Sequence, residues 1–92
     1  MIRNIRHRGL KRLFELDDRS KLRPDLVDKI SRLLARLDAA VTIDDMKVEG
    51  LGLHRLSGDL RSFWSITVSR NWRIVFRFEE GDAFDVDFID YH

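Results

Sequence analysis

Asp90, Tyr91 and His92 put a carboxylate, a phenol and an imidazole on three successive residues, directly after the strand-like run Phe84-Asp85-Val86-Asp87-Phe88-Ile89. A strand ties such groups down, and titratable side chains held in place can move protons. The chain has three histidines, His7, His54 and His92. A second strand-like stretch, Leu51-Gly52-Leu53-His54, could bring another imidazole near the first. With an ordinary pKa of about 6.5, an imidazole pair suits general acid–base work near neutral pH. The rival chemistry is a divalent-metal site made by Asp90, His92 and His54. The plainest reading makes His54 a half-buried histidine with its hydrogen bonds satisfied, and Asp90 an ion pair at the end of a strand.

These residues need elements to position them, and 92 residues supply one domain, 1–92. Hydrophobic residues are 43% of the chain and charged residues 36%, an ordinary globular balance. There is no cysteine, so disulfides and thiolate metal sites are excluded. No apolar run approaches the roughly 18 residues of a membrane span, and none follows Met1 as a signal core. A cytoplasmic location without membrane contact is expected. Net charge is only +1, yet residues 1–36 carry 11 Lys and Arg against 5 Asp and Glu, while 37–92 carry 6 against 11. The first part is thus either a polyanion-facing surface or a set of helices with solvated outer faces.

Ile2-Arg3-Asn4-Ile5 reads as a short first strand. Leu10, Leu13 and Phe14 mark a helix over 8–16, closed by Asp17-Asp18-Arg19-Ser20. A second helix begins around Pro24, with Asp25 and Asp28 near its positive end. Its stripe is Leu26, Ile30, Leu33, Leu34 and Leu37. The two helices form a hairpin, and Thr42-Ile43-Asp44-Asp45 starts a third, very short one. After Met46 the period becomes alternating: strands over 53–56, 63–68, 72–78 and 83–89, with turns at Ser57-Gly58-Asp59, Ser69-Arg70-Asn71 and Glu80-Gly81-Asp82. The expected fold is α+β: an N-terminal helical hairpin packed on an antiparallel sheet, mixed through the first strand.

Trp72, Ile74, Phe76 and Phe78 should face the helices, and so should Phe84, Val86 and Phe88. Arg73, Val75, Arg77, Asp85 and Asp87 fall on the opposite face, with cross-strand ion pairs between the strands. Strict alternation gives Asp90 and His92 the core parity of Val86 and Phe88. Either a bulge at Phe88-Ile89 moves them to the face of Arg73, or the strand runs past the core into a cleft.

Leu53-His54-x-Leu56-x-Gly58, Trp64-Ser65-Ile66, Asn71-Trp72-Arg73-Ile74 and Asp90-Tyr91-His92, in this order and spacing, resemble the HigB-type toxins of bacterial toxin–antitoxin pairs, within the RelE-like superfamily. The resemblance spans essentially the whole chain. It implies a RelE-like fold and a ribosome-dependent endoribonuclease that cuts mRNA in the ribosomal A site. It also implies restraint by a HigA-like helix-turn-helix antitoxin, through which alone operator DNA would be met. His54, Asp90, Tyr91 and His92 correspond to the catalytic group, and Arg73 to a phosphate-binding or structural residue, with Arg70 and Asn71 beside it. Relatives often carry lysine at the position of Ser57 and arginine at or next to that of Ser69. Arg70 could replace the second; the first is lost.

That activity agrees with the residues. RNA is cut without metal when a base takes the 2′-OH proton and an acid protonates the leaving 5′-oxygen. Arg73 or Arg70 could stabilise the phosphorane, Tyr91 could stack on a splayed base, and Asp90 could fix an imidazole tautomer. The terminal carboxylate and Asp90 would favour protonated His92, making it the acid and His54 the base. Neither a metal nor a cofactor is expected. The alternative from another class is a non-catalytic module that acts with its antitoxin in transcriptional autoregulation.

Overall fold

The N-terminal segment lies beside the last strand, which is what makes the sheet mixed. In the computed structural model, which describes residues 1–90, the elements run α1 (Arg8–Leu16), α2 (Val27–Ala39), β1 (His54–Arg55), β2 (Trp64–Thr67), β3 (Trp72–Glu79) and β4 (Asp82–Asp90). The four strands form an antiparallel meander in the order β1-β2-β3-β4. Ile2 and Ile5 bridge in parallel to Ala83 and Val86 at the β4 edge. The expected α+β fold, with its helical pair on one sheet face, is the one observed.

Helix α1 begins where His7 caps it: Nδ1 accepts the Leu10 amide at 3.2 Å. It ends where Asp17 takes a left-handed conformation, φ 53°, and its amide returns to the carbonyl of Leu13. Pro24 and Asp25 fall in a turn before α2 rather than in its first turn, because the Leu26 and Val27 amides both close on the Arg23 carbonyl. Leu26 is accordingly only half-buried, while Ile30, Leu33, Leu34 and Leu37 are buried as the periodicity requires. The third element is a 3-10 turn, Ile43–Met46, where the Asp45 carboxylate accepts the amides of Val41 and Thr42.

The core packs Leu10, Leu13 and the α2 stripe on Ile66, Val68, Ile74, Phe76, Val86 and Phe88. Complete burial of one such side chain contributes about 1.5–3 kcal/mol, so this layer holds the sheet against the helices. The β3–β4 hairpin closes through Glu80 and Gly81, both at positive φ, with Glu79 opposite Asp82. Such a two-residue turn matches the twist of the strands it joins.

Two expectations on β4 change. The ladder shifts by one residue between Val75 and Arg77, where Asp85 and Val86 together oppose Phe76 and Asp85 has φ 54°. The bulge is therefore at Asp85-Val86, not at Phe88-Ile89. It turns Phe84 to the outer face, where the Arg77 guanidinium lies 5.2 Å from its ring centroid. From Asp87 to Asp90 the pairing is unbroken, so Asp90 keeps the core-side parity of Val86 and Phe88. It sits opposite Trp72, exposed, where the strand outruns the core. The strand that runs past the core is the alternative that holds.

Candidate active site

His54 stands on a strand of only two residues, since Gly52 and Gly58, both at positive φ, interrupt extended pairing on either side. Its imidazole is exposed, with Nδ1 2.9 Å from the carbonyl oxygen of Gly52. A carbonyl only accepts, so Nδ1 carries the hydrogen and the lone pair of the neutral ring is on Nε2. Gly52 fits here for two reasons. Its φ is 60°, and a Cβ would come 3.0 Å from the Thr67 Oγ1. The tight passage under Thr67 is fixed by the Thr67 amide, which donates to Leu51 at 2.7 Å.

Across the sheet His54 faces Ser65, Ser65 faces Val75, and Val75 faces Asp87. This row lies on the face away from the helices, yet Ser65 is fully buried and Val75 is 4% exposed. Phe63, two residues before Ser65 on the same face, is buried as well. The Arg6 guanidinium lies 5.7 Å from the Phe63 ring centroid on this face. Among the described residues, the Ser65 Oγ has no hydrogen-bond partner. Ser65 stands in the Trp64-Ser65-Ile66 motif, but its place opposite His54 is given only by the strand register.

Arg73 is half-buried and its Nη1 donates to three carbonyls of the β2–β3 turn: Ser69 at 2.6 Å, Trp72 at 3.1 Å and Arg70 at 3.2 Å. This cation holds the turn that displays Arg70 and Asn71, both exposed. Trp72 stacks on Phe88 with centroids 4.7 Å apart, and His7 meets Phe88 edge-on at 5.6 Å. His7, committed to its helix cap, is a structural histidine.

The expected site residues divide. Arg73, Arg70, Asn71 and Asp90 come together at one end of β3 and β4. His54 is three strands away, on the opposite parity to Asp90. At about 4.8 Å per strand that is roughly 14 Å along the sheet. Tyr91 and His92 lie outside the described residues, and with them the metal alternative that needs His92. Among the described residues, no three His, Cys, Asp or Glu side chains gather as a metal-ligand group.

The outer face also holds a compact ion network. Asp85 accepts from Asn4 Nδ2 and Arg77 Nε, each at 2.9 Å, and lies 3.4 Å from Arg6 Nη2. The Asn4 and Arg77 bonds keep this carboxyl below its ordinary range.

An α+β fold of two helices on an antiparallel meander, with an exposed histidine on its outer face and Asp90 at the end of its last strand, is consistent with the RelE-like architecture. The family described as RelE-like toxin of type II toxin-antitoxin system HigB matches residues 3–92, and the chain belongs to it. It is 42% identical over 92 residues to the endoribonuclease HigB of Proteus vulgaris, covering both chains completely. It is 29% identical over 94 residues to toxin HigB-1 of Vibrio cholerae serotype O1, covering all of this chain and 98% of that one. Membership of a type II family implies an antitoxin partner. Among the described residues, no helix is long and apolar enough to cross a membrane.

Proposed function

We propose that the protein is a ribosome-dependent endoribonuclease toxin that cuts mRNA in the ribosomal A site by metal-independent acid–base chemistry. The observation that carries this reading is the His54 imidazole, exposed on the outer sheet face with Nδ1 held by the Gly52 carbonyl. Nε2 is thereby left to take the 2′-OH proton. The 2′-oxygen then attacks phosphorus, and the P–O5′ bond breaks as an acid delivers a proton to the departing 5′-oxygen. His92 is assigned as that acid, Asp90 as its orienting carboxylate, and Tyr91 as a stacking or hydrogen-bonding group. Arg70 and Asn71 contact the RNA from the β2–β3 turn, which Arg73 braces from within. The activity named for the Proteus vulgaris relative supports this assignment. The toxin acts in the cytoplasm, is neutralised by a HigA-like helix-turn-helix antitoxin, and reaches operator DNA only through it.

Growth and cleavage test the reading together. Induction without antitoxin arrests bacterial growth, and His54→Ala or His92→Ala relieves the arrest. Purified wild-type protein cuts mRNA on programmed ribosomes, and both variants, folded by circular dichroism, do not. Undiminished cleavage by either variant removes that histidine from the mechanism.

A further inference from the structure

The outer face of the sheet carries one long cationic side chain whose placement the residues of the β2–β3 turn do not explain. Arg6 follows Ile5, which is bridged to Val86, and its amide donates to the Val86 carbonyl at 2.7 Å. It therefore starts at the β4 edge of the sheet. Its guanidinium nevertheless reaches Phe63, at the start of β2. The side chain crosses the outer face toward the strand that bears His54. The Phe63 carbonyl accepts the Leu56 amide, so the β1–β2 pairing continues through it. This makes Phe63 a diagonal neighbour of His54, at a spacing of about 7–8 Å.

Two contacts fix this guanidinium while leaving it accessible. The Phe63 ring lies beneath it, Asp85 meets one edge at 3.4 Å, and the side chain stays 56% exposed. Asp85 is shared. Arg77 approaches it more closely, at 2.9 Å, and Asn4 donates to its other oxygen. Arg77 also pairs with Glu79 at 3.1 Å, whereas the contact of Arg6 with Asp85 is long. Of the two guanidiniums here, that of Arg6 is the less compensated. A planar cation held by an aromatic ring below and a distant carboxylate beside it presents a pre-oriented fork of donors. That fork fits a phosphodiester.

We propose that Arg6 binds a backbone phosphate of RNA on the same face as His54, at a position flanking the phosphate that is cut. This inference rests on the nuclease reading given above. Arg8, Lys11 and Arg12, which stand on α1, are not included in it.

The test compares wild-type protein, Arg6→Ala and Arg6→Lys in two assays. One measures single-turnover cleavage of mRNA on programmed ribosomes across salt concentrations; the other measures binding to ribosomes without mRNA. Arg6→Ala should raise the half-saturating concentration several-fold and make its salt dependence shallower by about 0.7 on log–log axes, the share of one phosphate on a single strand. Arg6→Lys should keep the salt slope and recover only part of the affinity, because it lacks the planar fork. A change confined to programmed ribosomes assigns the phosphate to mRNA, and a change in both assays assigns it to ribosomal RNA. Wild-type concentration dependence and salt slope in Arg6→Ala overturn the proposal. If Arg6→Ala loses cooperative unfolding, Arg6→Gln, which keeps the stem on Phe63 and a donor for Asp85, takes its place. His54→Ala runs alongside: if the wild type cleaves and His54→Ala does not, the nuclease reading stands whatever Arg6 does. No cleavage by the wild type sinks that reading instead.

Discussion

The His54 imidazole and the Gly52 carbonyl, two residues apart, meet at 2.9 Å through Nδ1. This short local bond fixes the tautomer of an exposed histidine without a buried carboxylate. Gly52→Ala disturbs it in two ways: it forces a Cβ to φ 60° and brings that Cβ 3.0 Å from Thr67 Oγ1. A left-handed alanine costs about 1–2 kcal/mol, and the clash adds to it. Gly52→Ala should lower the unfolding free energy by at least that amount and reduce mRNA cleavage. His54→Ala, at an exposed position, should change stability by no more than about 0.5 kcal/mol while abolishing cleavage. Chemical denaturation and a ribosome cleavage assay check both.

Ser65 gives an opposite expectation. Its hydroxyl is buried without a partner among the described residues, and an unsatisfied buried hydroxyl costs about 1–3 kcal/mol. Ser65→Ala should therefore leave stability unchanged or raise it, by up to about 1 kcal/mol. A loss of that size in urea unfolding would mean that the hydroxyl is satisfied after all.

Arg73 braces the β2–β3 turn through three carbonyls. Hydrogen bonds to a charged group contribute about 1.5–3 kcal/mol, so Arg73→Ala should destabilise the protein on that scale. Arg73→Lys should restore part of the stability, since an ammonium reaches fewer of the acceptors. If cleavage falls while the unfolding midpoint is unchanged in Arg73→Ala, Arg73 acts on RNA and not on the turn.

Asp85 links stability to pH. Its pKa is lowered from 3.8, first by the Asn4 hydrogen bond and then by Arg77. A depressed carboxylate contributes stability above its unfolded pKa and loses it as pH falls toward the folded value. The wild type should therefore lose stability below about pH 4. Asp85→Asn should be less stable at pH 7 and show a flatter decline in that window. Thermal unfolding from pH 7 to pH 2.5 measures it; parallel curves for the two proteins would remove Asp85 from the acid response.

Metal removal tests the acid–base assignment. With the magnesium requirement of the ribosome met, a chelator selective for transition metals should leave cleavage of mRNA on programmed ribosomes intact. Activity that returns only with an added divalent ion would replace that mechanism with metal-assisted hydrolysis.

Much of this fold was legible in the chain because it rests on local periodicity. Leu10 and Leu13 set α1, Ile30 to Leu37 set α2, and Glu80-Gly81 marked the last turn. The bulge was not legible, since Phe84, Val86 and Phe88 alternate as an uninterrupted strand would, and only a tertiary pairing reveals that Asp85 is extra. The start of α2 was misplaced by Pro24, which serves equally well in a turn as in a first helical turn. The residues proposed for the chemistry, His54 and Asp90-Tyr91-His92, stand out in the chain by type and order. Arg6 and Ser65 were not recognisable as parts of the same face, because the partners that give them meaning are brought to them by the sheet and lie far away in sequence.

The extra residue at Asp85-Val86 has a consequence for how the chain tolerates change in length. Asp85 and Val86 share one partner, Phe76, so removing Asp85 leaves Phe84 opposite Arg77 and Asp87 opposite Val75 and closes the ladder into plain alternation. Phe88 and Asp90 keep their faces, and Phe88 keeps its stack on Trp72. What such a deletion removes is the carboxylate that Asn4, Arg6 and Arg77 share, so its cost falls on the ion network of the outer face and not on the phase of the strand.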